Sequence, residues 1–126
     1  MKRLFLAMLL VFAHAPLAVA DELLETYVAE LGPDDHFNSN GKRLTHAWQI
    51  IRQDRANFHR YGVRDPLDEG DSFFGSIENR AIAERMLRRG RISRGLARRI
   101  VRENVVVRVE IWGRGTTGTS LRVYVY

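Results

Sequence analysis

Apolar residues along this chain follow two periods, and the switch between them marks the architecture. From Val105 they alternate. Val105, Val107, Val109 and Ile111 interleave with Val106, Arg108, Glu110 and Trp112, and Leu121, Val123 and Val125 interleave with Arg122, Tyr124 and Tyr126. Period two predicts strands over about 105–112 and 119–126, joined as an antiparallel hairpin through the loop Gly113 to Gly118. Before Val105 the spacing is helical. Leu23, Leu24, Tyr27, Val28 and Leu31 share one face of a helix expected over about 22–31, with Asp21 and Glu22 at its positive end and Gly32-Pro33 as its stop. A second helix over about 44–61 carries the stripe Leu44, Ala47, Trp48, Ile51 and Phe58 and stops at Gly62. A third, over about 76–89, starts at Ser76, buries Ile77, Ala81, Ile82 and Leu87, and ends at Gly90. A fourth, over about 94–103, is capped by Ser93 and turns Leu96, Ala97, Ile100 and Val101 inward. The expected fold is α+β: a small cluster of about four helices closed by a C-terminal antiparallel β-hairpin. A lone hairpin is marginal in water. Its aliphatic face must pack on the helices, and its free edges offer pairing to another chain, including a second copy of this one.

The N-terminus reads as a secretory signal over 1–20. Lys2 and Arg3 precede the uncharged apolar run Leu4 to Phe12, and Ala18-Val19-Ala20 is a small-x-small cleavage boundary before Asp21. The run is shorter than the roughly 20 residues a spanning helix needs. Residues 21–126 are then the mature domain, placed in the periplasm or outside a bacterial cell, with no transmembrane segment. There is no cysteine, so no disulfide reinforces a modest core.

Charge is unevenly spread. The chain has 20 basic and 15 acidic residues, and removing Lys2 and Arg3 leaves 18 basic. Every charge between Asp21 and Asn40 is acidic, whereas Arg80 to Arg102 is dense in arginine. Arg88, Arg89, Arg91, Arg94, Arg98, Arg99 and Arg102 lie on or beside the last two helices, in the outline of a helix-turn-helix. Export argues against DNA as the target. The same cations suit other anions, such as lipid phosphates, acidic polysaccharide or an acidic protein.

Candidate chemistry is sparse. Gly113-Arg114-Gly115-Thr116-Thr117-Gly118 matches G-x-G-x-x-G, but a strand follows it where a dinucleotide site needs a helix, and Thr119 stands where a P-loop needs lysine. A hairpin turn is the expected reading. Asp65, Asp68, Glu69 and Asp71 fail the calcium-loop pattern at Leu67, Glu69 and Ser76. His46 and His59 lie thirteen residues apart on one helix, about 20 Å along its axis, which argues against a ready-made metal site; His36, on its loop, could approach one of them, and no cofactor is expected.

The sharpest anomaly is Asp54-Arg55, which fills one turn of an otherwise apolar stripe. A charge facing the core must be paired. The expected cause is a buried ion pair docking this helix, with Arg64 or Arg80 as partner. The other reading is an anion or partner pocket with Asp54 orienting an arginine, since Arg52, Arg55 and His59 share one face.

These observations favour an exported, non-catalytic envelope protein that binds a protein or an anionic envelope component. Its contact residues would come from Arg52, Arg55, Arg88, Arg91, Arg98 and Arg99, or from the hairpin edge. The runner-up is a small envelope hydrolase using His36 or His59 with Asp54. A nucleic-acid binder working through the arginine-rich helix pair stands third.

Overall fold

A computed structural model describes residues 13–126. Lys2, Arg3 and the apolar run to Phe12 lie outside the described residues. Positions 13–20, including Ala18 and Ala20, are exposed and without regular structure, and Asp21 is exposed too.

The chain is α+β. A three-stranded antiparallel sheet, in the order β1-β2-β3, is built from β1 (Glu22–Leu31), β2 (Val105–Arg114) and β3 (Thr117–Val125). Among the described residues four α-helices complete it: α1 (Ala47–Ala56), α2 (Ile77–Ala81), α3 (Ala83–Arg89) and α4 (Arg94–Arg102). The C-terminal hairpin is present, with Arg114 opposite Thr117 across the turn. Gly115 sits there at φ 56° and no other turn residue has positive φ, the pattern of a type II′ turn. The other two glycines of the motif are packing positions. A Cβ on Gly113 would fall 2.0 Å from the Thr117 carbonyl oxygen, and one on Gly118 would strike Phe73 and Met86. The loop is a close-packed turn, and no phosphate cradle is needed to explain it.

The expected helix over 22–31 is instead strand β1. It pairs with β2, setting Tyr27 opposite Val109, Ala29 opposite Val107 and Leu31 opposite Val105. The apolar positions fit both periods. Tyr27, Ala29 and Leu31 point inward together and are all buried, which is the period of a strand. What decides is β2, whose inward residues are all buried and whose second edge must be hydrogen-bonded. Asp21 does not sit at a helix start. It accepts from Arg114 Nε at 2.9 Å and from the Thr119 hydroxyl, fastening the beginning of β1 to the hairpin.

The long helix begins later than its pattern, at Ala47, where Gln49 Oε1 accepts from the Thr45 and His46 amides. It continues from Asn57 to Tyr61 as a wider π turn and ends at Gly62, φ 66°. The third predicted helix is broken at Ile82 into α2 and α3. Ser76 and Ser93 cap as expected, accepting from the Asn79 and Leu96 amides.

The hairpin offers fewer free edges than its pattern implied, because β2 is central. The outer edge of β3 is occupied in its middle by Arg91, whose amide donates to Leu121 and whose carbonyl accepts from Val123. The outer edge of β1 is covered by acidic side chains: Val28 N–H donates to Glu69 Oε2 at 3.0 Å and Glu30 N–H to Asp68 Oδ1 at 2.8 Å. The acidic segment 65–71 is therefore a strap that closes the sheet, and its Asp71 pairs with Arg55.

Candidate functional site

The face that α1 turns to the core carries Ala47, Ile50, Ile51 and then Asp54 and Arg55 before Phe58. Arg55 is fully buried, at 0% exposure, and Asp54 is 1% exposed. The ion pair expected at Asp54 is present, but its partner is the neighbouring Arg55, with Nε 2.7 Å from Asp54 Oδ2. Arg55 Nη1 reaches past it to Asp71 Oδ1 and the Glu69 carbonyl, both at 2.9 Å. The guanidinium lies over the rings of Tyr27, at 4.1 Å, and Phe58, at 4.7 Å. Arg64 and Arg80 go elsewhere. Arg64 covers the outer side of Phe58, and Arg80 donates to main-chain carbonyls.

One guanidinium thus faces two buried carboxyls. Burial pushes Asp54 up to about 8 against the pull of Arg55, and it pushes Asp35 up to about 6 against hydrogen bonds from Asn57 and Gly32. The arrangement joins α1, the acidic strap and β1 through one side chain. Because Arg55 has no surface, its role is to fix the docking of α1, and it does not reach a partner from solution.

The histidines are dispersed. His36 is 2% exposed, and its Nδ1 and Nε2 lie 2.7 Å from the carbonyl oxygens of Gly32 and Ile100. A carbonyl only accepts, so both nitrogens are committed to main chain, and the ring ties the turn Pro33–His36 to α4. His46 stands at the start of α1 beside Trp48. His59 does meet a carboxylate, but it is Asp71 rather than Asp54, at 2.8 Å from Nε2. That carboxylate already accepts from Arg55 and from the Phe74 amide. The expected pairing of His36 or His59 with Asp54 is therefore not formed: His36 bonds two carbonyls, His59 meets Asp71, and Asp54 meets Arg55. The serines following Asp71 are held as well, Ser72 Oγ by Glu25 and Ser76 Oγ by Glu78. Among the described residues no group of three or more His, Asp or Glu side chains is placed to hold a metal.

The arginines divide sharply. Arg88 and Arg99 pair within their helices with Glu84 and Glu103, both exposed. Such pairs contribute little. Arg91 is held by its backbone against β3, with its side chain exposed. Arg52 is exposed on the outer face of α1, and Arg98 is exposed on α4. Arg98 belongs to a row. Arg94, Arg98 and Arg102 recur every four residues along α4, all exposed and none in an ion pair among the described residues. Successive members of that row are about 6 Å apart along the axis. The inner side of α4, with Leu96 and Ile100, is buried against the rest of the molecule.

The helix-turn-helix outline does not survive in three dimensions. That motif needs its two helices packed on each other. Here α3 packs chiefly against β3, and α4 packs against α1.

Sequence reasoning located the anomaly at Asp54-Arg55 and the arginine-rich segment. It missed Tyr27, Glu69 and Asp71 as partners of Arg55. Asp71 gives no local signal, since an acid beside a glycine in a turn is the ordinary solvated case. Compared with protein families, curated proteins and solved structures, the chain matches no family model, no curated protein and no solved structure.

Proposed function

We propose that this chain is exported, is cut after Ala20, and binds a phosphate-bearing envelope surface through the arginine row of α4 without catalysing a reaction. The observation that carries this reading is the row itself: Arg94, Arg98 and Arg102, exposed on one helix and free of carboxylate partners among the described residues. Arginine matches phosphate geometry with paired donors. A surface of like charge that no internal acid neutralises draws in an anionic partner. Among the described residues no helix is long and apolar enough to cross a membrane, so contact would be peripheral.

A hydrolase reading draws on the His59–Asp71 contact. It has the weaker support, because Asp71 is saturated by structural donors and the adjacent serine hydroxyls are already bonded.

Each arginine near an anionic bilayer contributes about 1 kcal/mol. Replacing Arg94, Arg98 and Arg102 together with Gln should therefore cost about 3 kcal/mol, roughly a hundredfold in affinity. Co-sedimentation with phosphatidylglycerol vesicles, against phosphatidylcholine vesicles and at two salt concentrations, measures this. Binding should require the anionic lipid and fall with salt. Equal binding by the triple variant, or no binding by the parent protein, rejects the reading. Mass analysis of the purified protein should find Asp21 at the N-terminus. An intact Met1 form in the cytosol contradicts export.

A further inference from the structure

The face of α1 opposite the buried cluster is partly open: Arg52 is exposed, whereas Trp48, Gln49, Gln53 and Ala56 are half-buried, Trp48 against the core. Trp48, Arg52 and Ala56 recur every four residues along it, with Gln49 and Gln53 in the next row and Arg60 and Tyr61 one turn on. Together with Arg80 of α2 they line a groove of about 270 Å³. It adjoins a second depression walled by Asp34, Phe37 and Val63, which shares Asn38, Ser39, Gln53 and Tyr61 with the first.

Two observations show what this groove lacks. Its charged lining residues are Arg52, Arg60 and Arg80, with no aspartate or glutamate among them. Moreover, Arg80 is 6% exposed, and its Nη1 is steered by the carbonyls of Phe74 and Gly75 at 2.8 and 3.2 Å. It makes no ion pair among the described residues, unlike Arg55, which is buried with two carboxyls. A desolvated guanidinium hydrogen-bonded to carbonyls keeps a fixed positive charge, felt by Glu78 but with no carboxylate in direct contact among the described residues. Arg52 adds a second, exposed one with no acid paired to it among the described residues.

The wall beside these charges is chemically mixed. It offers the half-buried Trp48 and the half-exposed Tyr61, over whose ring Arg60 lies at 5.2 Å. Gln49 Oε1 caps α1 and Gln53 Nε2 donates to Asn57, which leaves the Gln49 NH2 to donate and the Gln53 amide oxygen to accept. A bare inorganic anion would use the arginines alone. A ring that presents an apolar face and an edge of hydroxyls would use all three. The volume is at the small end of ligand sites, which suits a single ring better than a polymer.

We propose that this groove binds a small sugar carrying a carboxylate or a phosphate, its anion met by Arg52 and Arg80 and its ring lying on the aromatic wall. The site shares no residue with the α4 row, so either proposal stands if the other fails.

Isothermal titration of the full-length protein with glucuronate, glucose 6-phosphate, glucose and inorganic phosphate tests it. The two charged sugars should bind. Glucose and inorganic phosphate should each bind at least tenfold more weakly, and the ratio of the first two distinguishes a carboxylate site from a phosphate site. Arg52→Gln should weaken the charged sugars about tenfold with an unchanged melting temperature. Substituting the α4 row with Gln should leave them unaffected, and Tyr61→Ala should weaken them independently of charge. Inorganic phosphate binding as tightly as glucose 6-phosphate overturns the sugar assignment. So does adenosine monophosphate binding more tightly than either sugar, or an unchanged affinity in Arg52→Gln.

Discussion

Replacing Arg55 with Met should cost about 3–5 kcal/mol of folding stability, the range for removing one partner from a buried ion pair. That is a large share of the 5–15 kcal/mol that typically separates a domain from its unfolded chain. The methionine roughly fills the volume of the side chain's stem. It leaves Asp71 without its cation, the Glu69 carbonyl without its donor, and the Tyr27 and Phe58 rings without the guanidinium between them. Urea unfolding of the parent, Arg55→Met, Asp54→Leu and the double variant forms a cycle that isolates the pair. The double variant should recover part of the loss, because among the described residues the Asp54 carboxyl is hydrogen-bonded to Arg55 alone. If Arg55→Met unfolds at the parent's midpoint, the cluster does not dock α1, and a functional role for Arg55 must be sought.

Stability should fall as pH rises from about 4 to about 8. Asp54 titrates near 8 when folded and near its ordinary 3.8 when unfolded. Between these values the folded state keeps a proton that the unfolded chain has released, so raising the pH favours unfolding. Below 3.8 both states are protonated and the contribution is complete; above about 8 it is gone. Asp35 acts in the same direction over a narrower window, 3.8 to about 6. Asp54, with the wider window, carries most of this loss, on the order of a few kcal/mol. Asp54→Asn keeps an oxygen to accept from Arg55 Nε and removes the titration. Its melting temperature should then change little between pH 6 and 8, where the parent's falls. A parent whose melting temperature rises steadily over that interval would contradict the burial assigned to Asp54.

The hairpin and α4 were legible because their signals are local. Alternating valines leave little choice of conformation, and Ser93 with Leu96 and Ile100 defines an amphipathic helix wherever it packs. β1 was not legible. Leu23, Leu24, Tyr27, Val28 and Leu31 satisfy a helical period, while Tyr27, Ala29 and Leu31 satisfy a strand, and only the need of β2 for a second neighbour decides. That need lies about eighty residues away. The same distance hid the partners of Arg55. The sequence shows that residues 54 and 55 must be paired, but the acid that completes the pair sits in a turn whose composition resembles any solvent-facing loop. His36 illustrates the opposite error. A histidine among acids in a polar loop reads as available, and packing turned it to two backbone carbonyls instead.

The Arg55 cluster holds the fold from inside, whereas the α4 row meets a membrane partner from outside. An amide-resolved NMR titration of the full-length protein with phosphatidylglycerol-containing nanodiscs tests that separation most directly. Signals of Arg94 to Arg102 should shift or broaden first, while those of His59 and Asp71 to Gly75 stay in place. Shifts confined to His59 and Asp71 to Gly75, with α4 unmoved, would contradict it.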